Sequence, residues 1–127
     1  MRFKQEKAAI YVPDRSPAGQ AVSRTTHLAV AAHQDDLEIM SYQGILHCYG
    51  HDDRWYTGVV VTDGGGSPRK GLYADYTDQA MQAVRRLEQD KAAAIGDYGA
   101  MIHLAYSSGA VKDPADKDVI LDLKCLL

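Results

Sequence analysis

Three short apolar runs alternate with helical patterns along this chain, and this alternation limits the possible folds more than any other feature. The runs are 27–32 (HLAVAA), 55–62 (WYTGVVVT) and 100–106 (AMIHLAY). Short apolar runs bounded by polar residues are typical of buried strands. Strands that alternate with helices indicate a parallel sheet covered by helices. The sequence therefore predicts an α/β fold with a Rossmann-like, doubly wound parallel sheet in three layers.

The two helical segments between these strands have recognisable ends. The first is predicted to begin with Asp35 or Asp36 as N-cap and to stop at Gly50. The second is predicted within 76–95, with Thr77 or Asp78 as N-cap and Gly96 as stop. Apolar residues recur near helical spacing in both, which predicts one face toward the sheet. These residues are Leu37, Met40, Ile45 and Cys48 in the first helix, and Ala80, Met81, Val84, Leu87, Ala92 and Ile95 in the second.

The two ends of the chain fall outside this pattern. Residues 1–26 show little periodicity and are expected to form an N-terminal arm that is irregular or holds one short strand. A last helix begins in 115–127, and its apolar side would have no later strand to pack on, so the sheet should look truncated after its third strand. We therefore expect aggregation or a homo-oligomer. The apolar side consists of Val119, Ile120, Leu123, Leu126 and Leu127.

Composition limits the domain count and the class of partner. With 127 residues, 46% of them hydrophobic, the chain can bury one core and should form a single domain or part of one. The net charge of −3 comes from 14 basic and 17 acidic residues without a long block of either sign, which favours small molecules over nucleic acid or membranes. Cys48 and Cys125 match no metal or disulfide pattern, so we expect reduced, buried thiols in a cytoplasmic protein.

The segment AAHQDD, 31–36, places a histidine and two carboxylates directly after the first predicted strand. Ligands of open parallel sheets bind at this end of the strands. His33 and Asp36 can converge on a divalent metal such as zinc, and Asp35 could then act as general base toward a metal-bound water. The spacing alone favours a simpler role, in which the two aspartates cap a helix and His33 is hydrogen-bonded at the end of the strand.

The longer segment AAHQDDLEIMSYQGIL resembles the signature of the PIG-L/LmbE-like deacetylase family, in the branch that contains bacillithiol-biosynthesis deacetylases. Two other segments agree with that family. VVVTDGGGS resembles its Thr-Asp-Gly loop, and RRLEQDKAAAIG resembles its Arg-x-x-Glu-x-x-x-Ala-x-x-x-Gly helix. The likeness covers about residues 27–106, which makes 27–127 the expected N-terminal portion of such a domain.

This resemblance implies a zinc-dependent hydrolase that removes an acetyl or related acyl group from an N-acetylated amino sugar or sugar conjugate. Another divalent metal could replace zinc. His33 and Asp36 would be the metal ligands and Asp35 the catalytic base. The implied substrate-binding residues are Asp63, Gly64, Gly65 and Arg85. The residues themselves also fit a flexible turn at 63–67 and an ordinary ion pair between Arg85 and Glu88 on one helix face.

The chain departs from the family pattern in three ways, the first of which is a single glycine where the family often has two. Gln34 stands where a proline is usual, and the later His-x-x-His-type segment that supplies the third zinc ligand is missing. The other histidines, predicted at helix ends or within strands, are poor substitutes; they are His27, His47, His51 and His103. The alternative is therefore a truncated, non-catalytic metal- or sugar-binding fragment that self-associates.

Overall fold

The protein contains one open, four-stranded sheet that is mostly parallel, which confirms the predicted α/β class. The computed structural model describes residues 2–127. The strands are β1 (Ala9–Tyr11), β2 (His27–Ala31), β3 (Tyr56–Thr62) and β4 (Ala100–Tyr106). Their order in the sheet is β1-β4-β3-β2. β2 and β4 run parallel to β3 on either side of it, whereas β1 pairs antiparallel with β4.

The N-terminal arm supplies the fourth strand of this sheet. β1 pairs with β4 so that Ala9 lies opposite His103 and Tyr11 lies opposite Met101. The expectation of one short strand in the arm is therefore correct, and the expectation of a sheet with only three strands is wrong. The physical reason is that β4 is almost wholly buried, so its outer edge needs backbone partners that β1 provides.

Helices cover both faces of the sheet. They are α1 (Ala18–Ser23), α2 (Asp36–Met40), α3 (Tyr42–Cys48), α4 (Asp78–Ile95), α5 (Ser108–Lys112) and α6 (Asp118–Lys124), with a short 3₁₀ turn at Gly71–Tyr73. On one face, Leu37, Ile45, Cys48 and Ala93 pack against Ala31, Val60 and Met101. On the other face, Val22, Ala110, Val119, Leu123 and Leu126 pack against Val59, Val61, Ile102 and Leu104.

The C-terminal helix α6 has a packing partner, which corrects the expectation that its apolar side would be left uncovered. Val119, Leu123 and Leu126 contact the core beneath the second face of the sheet. Ile120 and Leu127 point outward and stay exposed. The sequence pattern did not predict this contact because α6 and the second face of β3 and β4 come together only in the folded chain.

The first predicted helix is broken at Ser41 into α2 and α3. Ser41 leaves the helical conformation with φ −118°, and the N–H groups of Gly44 and Ile45 both donate to its carbonyl oxygen, over 3.0 and 3.2 Å. Ile45 and Cys48 are thereby turned toward the sheet, as predicted. Met40, also predicted to be in the core, is 78% exposed because it lies at the end of α2, before the break.

The long helix α4 agrees with its prediction at both ends but not along its buried face. Thr77 caps it, since its hydroxyl accepts a hydrogen bond from the N–H of Ala80 over 3.1 Å. Leu87 and Ile95, predicted to face the sheet, are exposed. The buried stripe instead repeats every fourth residue, at Met81, Arg85, Gln89 and Ala93, with Arg85 the least covered.

The two cysteines differ in burial, and this corrects one further expectation. Cys48 is buried in α3, whereas Cys125 is exposed just after α6. Both thiols are free. Among the helices of residues 2–127, none combines the length and the apolar character that a bilayer crossing requires.

A buried carboxylate ties both ends of the chain to the sheet. Asp122 of α6 accepts hydrogen bonds from the N–H groups of Lys4 and Gln5 over 2.6 and 3.1 Å. It also accepts one from the Tyr106 hydroxyl over 2.6 Å. Burial favours the neutral form of Asp122, yet these donors outweigh burial and lower its pKa. The same contact, together with burial, raises the pKa of Tyr106.

We expect Asp122→Asn to lower the free energy of unfolding by about 2–4 kcal/mol, because the amide replaces one acceptor oxygen by an N–H₂ group that faces other donors. Asp118→Asn, on an exposed position of the same helix, should cost less than about 1 kcal/mol. Urea unfolding at neutral pH measures both losses. Because the pKa of Asp122 is lowered on folding, its contribution is present above the unfolded pKa of about 4 and disappears as the pH falls through the folded value.

Equal stability losses in the two variants would contradict this role for Asp122. The role would also be contradicted if the difference in unfolding free energy between wild type and Asp122→Asn stayed the same in acid.

Candidate active site

Two loops meet at the carboxyl end of the parallel strands, where the sequence places the candidate site. One loop follows β2 and the other follows β3. Thr62 joins them, since its N–H and its hydroxyl both donate to the carbonyl of Ala32, over 2.9 and 2.8 Å. The buried side chain of Gln34 adds a bond from its amide to the Thr62 carbonyl over 3.0 Å. The position that lacks the family's proline thus holds a side chain that joins the two loops.

His33 and Asp36, the predicted metal ligands, lie side by side in the first of these loops. Asp36 Oδ2 accepts a hydrogen bond from the N–H of His33 over 2.9 Å and lies 3.2 Å from His33 Nδ1. The side chains are 62% and 31% exposed, respectively, so solvent and ions reach them. An imidazole nitrogen and a carboxylate oxygen at this separation are suitable donors for zinc.

The donor set is incomplete for a catalytic zinc site within the described chain. No group of three or more His, Cys, Asp and Glu side chains converges anywhere in residues 2–127. The remaining histidines have other neighbours. His27 and His47 stack edge to face with ring centroids 4.9 Å apart, and His103 lies 2.7 Å from Asp90. His33 and Asp36 are therefore a pair of potential ligands, one fewer than the three protein ligands that catalytic zinc sites use.

Asp35, the predicted general base, has its contacts with the long helix α4. Its backbone is left-handed, with φ 75° and ψ −21°, a conformation that few residues other than glycine adopt. Its carboxylate is 2.6 Å from Arg85 Nη2, and its N–H donates to Gln89 Oε1 over 3.0 Å. Asp35 stands at the N-cap position of α2, but its side chain accepts no hydrogen bond from that helix. The predicted side-chain cap is therefore absent at Asp35.

Arg85 connects the candidate base to the long helix. Besides Asp35, it contacts Glu88 over 2.5 Å and donates to the carbonyl of Gln34 over 3.1 Å. Burial would lower the pKa of Arg85, but the Asp35 and Glu88 carboxylates outweigh burial and raise the pKa. The structure thus contains the ion pair with Glu88 that the helix spacing allows, and it adds the contact with Asp35.

The loop after β3 packs against α4 through Asp63, Gly64 and Gly65. Asp63 accepts hydrogen bonds from the N–H of Gly65 and from the Gln82 side chain, each over 2.9 Å. Gly64 has φ 76°, and a Cβ there would lie 2.8 Å from both Arg85 Cβ and Gln34 Oε1. The N–H of Gly65, one of the implied substrate-binding residues, is thus already used inside the loop.

A cleft of about 800 Å³ opens beside these loops, between α4 and the sheet. Gln34, at the centre of the AAHQDD segment, borders it, whereas the His33 and Asp36 side chains are not part of its wall. The cleft is lined by polar side chains that include Gln34, Thr62, Asp63, Gln82, Arg86 and His103. The structure therefore places a cavity with several polar side chains in its wall beside the AAHQDD segment.

A buried network of hydrogen bonds supports the loop that contains Asp35, and the sequence analysis did not predict it. Gln89 is fully buried; its amide N–H₂ donates to Glu38 Oε1 over 2.8 Å while its oxygen holds Asp35. The Tyr98 hydroxyl donates to the same Glu38 oxygen over 2.6 Å. The spacing along α4 could have indicated it, because Gln89 lies four residues from Arg85 and four from the buried Ala93 and therefore shares their helix face.

Comparisons of the chain with protein families, with curated proteins and with solved structures found no match.

We expect Gly64→Ala to cost about 2–4 kcal/mol of unfolding free energy, because a Cβ adds a steric clash with Arg85 and Gln34 to the strain of a positive φ. Gly50→Ala is the matched control. Gly50 also has a positive φ, of 71°, but a Cβ there meets nothing within 4 Å, so this variant should cost only about 1 kcal/mol. Chemical denaturation of both variants measures the difference, and equal costs would show that the loop does not pack as described.

Proposed function

We propose that this chain belongs to a metal-dependent amide hydrolase that releases acetate, or a related acid, from an N-acetylated amino sugar or sugar conjugate. The observation that carries the proposal is the convergence of His33 and Asp36, whose Nδ1 and Oδ2 atoms lie 3.2 Å apart. The resemblance to the PIG-L/LmbE-like family gives the same roles to the same residues. A doubly wound, Rossmann-like topology is part of this proposal, and so is a cytoplasmic location, which suits two free cysteines.

The proposed roles follow from the contacts of each side chain. A bound zinc ion or similar metal would polarise the acyl carbonyl and lower the pKa of its water. His33 and Asp36 would hold that ion, together with a ligand from outside the described residues. Asp35 would accept the proton of the attacking water and deliver it to the departing amine. Arg85 holds the carboxylate of Asp35 in place through a contact of 2.6 Å.

The adjacent cleft suits the sugar portion of the substrate. Its wall alternates amide, carboxylate and guanidinium groups, such as Gln82, Asp63 and Arg86, which provide donors and acceptors for hydroxyl groups. Gly64 and Gly65 would shape the neighbouring wall by allowing the loop to lie close against α4.

A second candidate is a non-catalytic metal- or sugar-binding unit that self-associates. It is favoured by one observation, namely that only two potential metal ligands converge within residues 2–127. Two protein ligands give weak zinc binding compared with three.

For the metal site, we expect His33→Ala and Asp36→Ala each to remove bound zinc from the natural protein while leaving the fold intact, since both side chains are partly exposed. His51→Ala, which changes a surface histidine beside Asp53, should retain zinc. Elemental analysis of the purified variants measures metal content. Unchanged zinc in both of the first two variants would refute the ligand assignment.

For the base, we expect Asp35→Asn to keep zinc and to lower the turnover of N-acetylglucosamine conjugates about 10²–10⁴-fold, because an amide cannot accept the proton from water. Acetate release with matched zinc contents measures the effect. Normal hydrolysis in this variant would place the base elsewhere. Sugar binding by a wild-type protein that releases no acetate would favour the second candidate.

A further inference from the structure

We propose that Gln89 is a positioning residue that holds Asp35 in its left-handed conformation and so fixes the direction of the carboxylate proposed as the base. This inference rests on the proposed function for its catalytic consequence. Its geometric part rests on Gln89 alone, a fully buried side chain on a helix 54 residues further along the chain.

The partners of Gln89 determine which way its amide points. Its oxygen accepts from the N–H of Asp35 over 3.0 Å, and its nitrogen donates to Glu38 Oε1 over 2.8 Å. The reverse orientation would set two N–H groups against each other and would set an oxygen against the Glu38 carboxylate. Both ends of the amide are therefore used, and one side chain connects the residue before α2 to a residue within α2.

The hydrogen bond with Gln89 is made by the backbone at Asp35, where φ is positive. Asp35 is one of four residues other than glycine in residues 2–127 with a positive φ, and the other three are Arg15, Asp97 and Ala105. Such conformations persist where surrounding contacts determine them. Arg85 holds the carboxylate of Asp35, and Gln89 holds its N–H, so the side chain and the backbone are fixed separately by two residues of the same buried stripe.

Tyr98 provides a matched control because it shares with Gln89 the hydrogen bond to Glu38. Its hydroxyl donates to the same Glu38 oxygen over 2.6 Å, but it makes no hydrogen bond to Asp35. Tyr98→Phe therefore removes a buried hydrogen bond to Glu38 and leaves the Asp35 contact intact. Gln89→Met, of similar length and without polar atoms, removes both contacts of Gln89.

The first test is amide hydrogen exchange by NMR, with the N–H of Asp35 compared with that of Val60 in the central strand. In Gln89→Met we expect the Asp35 amide to exchange about tenfold faster or more, after correction for any change at Val60, because its acceptor is lost. Tyr98→Phe should leave the corrected exchange rate within about threefold of wild type. Wild-type exchange at Asp35 in Gln89→Met would overturn the proposal.

The second test is hydrolysis of an N-acetylglucosamine conjugate by the natural, zinc-loaded protein. Gln89→Met should lower kcat about 10- to 100-fold with KM and zinc content nearly unchanged, because the base is misplaced while the ligands remain. Tyr98→Phe should stay within about threefold of wild type. An equal loss in Tyr98→Phe would show that the stability of the network matters and would overturn the positioning role. Absence of hydrolysis in the wild type would overturn the proposed function, and the exchange comparison would still decide whether Gln89 holds Asp35.

Discussion

The complete burial of the central strand β3 is the constraint on which the rest of the structure depends. All seven residues from Tyr56 to Thr62 are buried, so both faces and both edges of this strand must be covered. The close contact extends to the backbone, since a Cβ at Gly58 would lie 2.7 Å from a methyl group of Leu37. β2 and β4 cover the edges, and helices cover the faces. Because β2 and β3 run parallel, the loops that leave their carboxyl ends lie side by side, and this brings the AAHQDD segment against the loop that contains Asp63.

Two internal carboxylates, one in a structural contact and one beside the candidate site, differ in how completely their oxygens are hydrogen-bonded. Asp122 receives three donors, two from backbone N–H groups and one from Tyr106, and so joins the arm, α6 and β4. Glu38 receives two donors on one oxygen, while its other oxygen is buried without a hydrogen-bond partner among the described residues. Buried polar groups are satisfied in most native structures, and exceptions concentrate at functional positions. Glu38 Oε2 is one of several such buried atoms among the described residues, and its residue is connected to Asp35 through Gln89.

The sequence predicted the elements whose pattern is local. The three runs at 27–32, 55–62 and 100–106 became strands, and Thr77 and Gly96 mark the ends of α4, because alternation and capping depend on neighbouring residues. Contacts between distant segments were not predictable in this way. The pairing of Ala9–Tyr11 with β4 and the hydrogen bonds from the arm to Asp122 each join residues about 90 or more positions apart, and neither the arm nor the last helix carries a pattern that predicts its partner.

In the candidate site, too, the local contacts were predictable from the sequence and the contacts between distant segments were not. The approach of His33 to Asp36 follows from three residues of spacing in a turn, so the sequence could indicate it. The support of Asp35 could not be read from apolar periodicity, because Arg85 and Gln89 are polar residues in the buried stripe of α4, whereas the apolar Leu87 and Ile95 face solvent. A helix face that carries a guanidinium and an amide inward is unfavourable unless both find partners. Here the partners are the carboxylate and the backbone of one strained aspartate, so the polar stripe of α4 and the left-handed turn at Asp35 require each other.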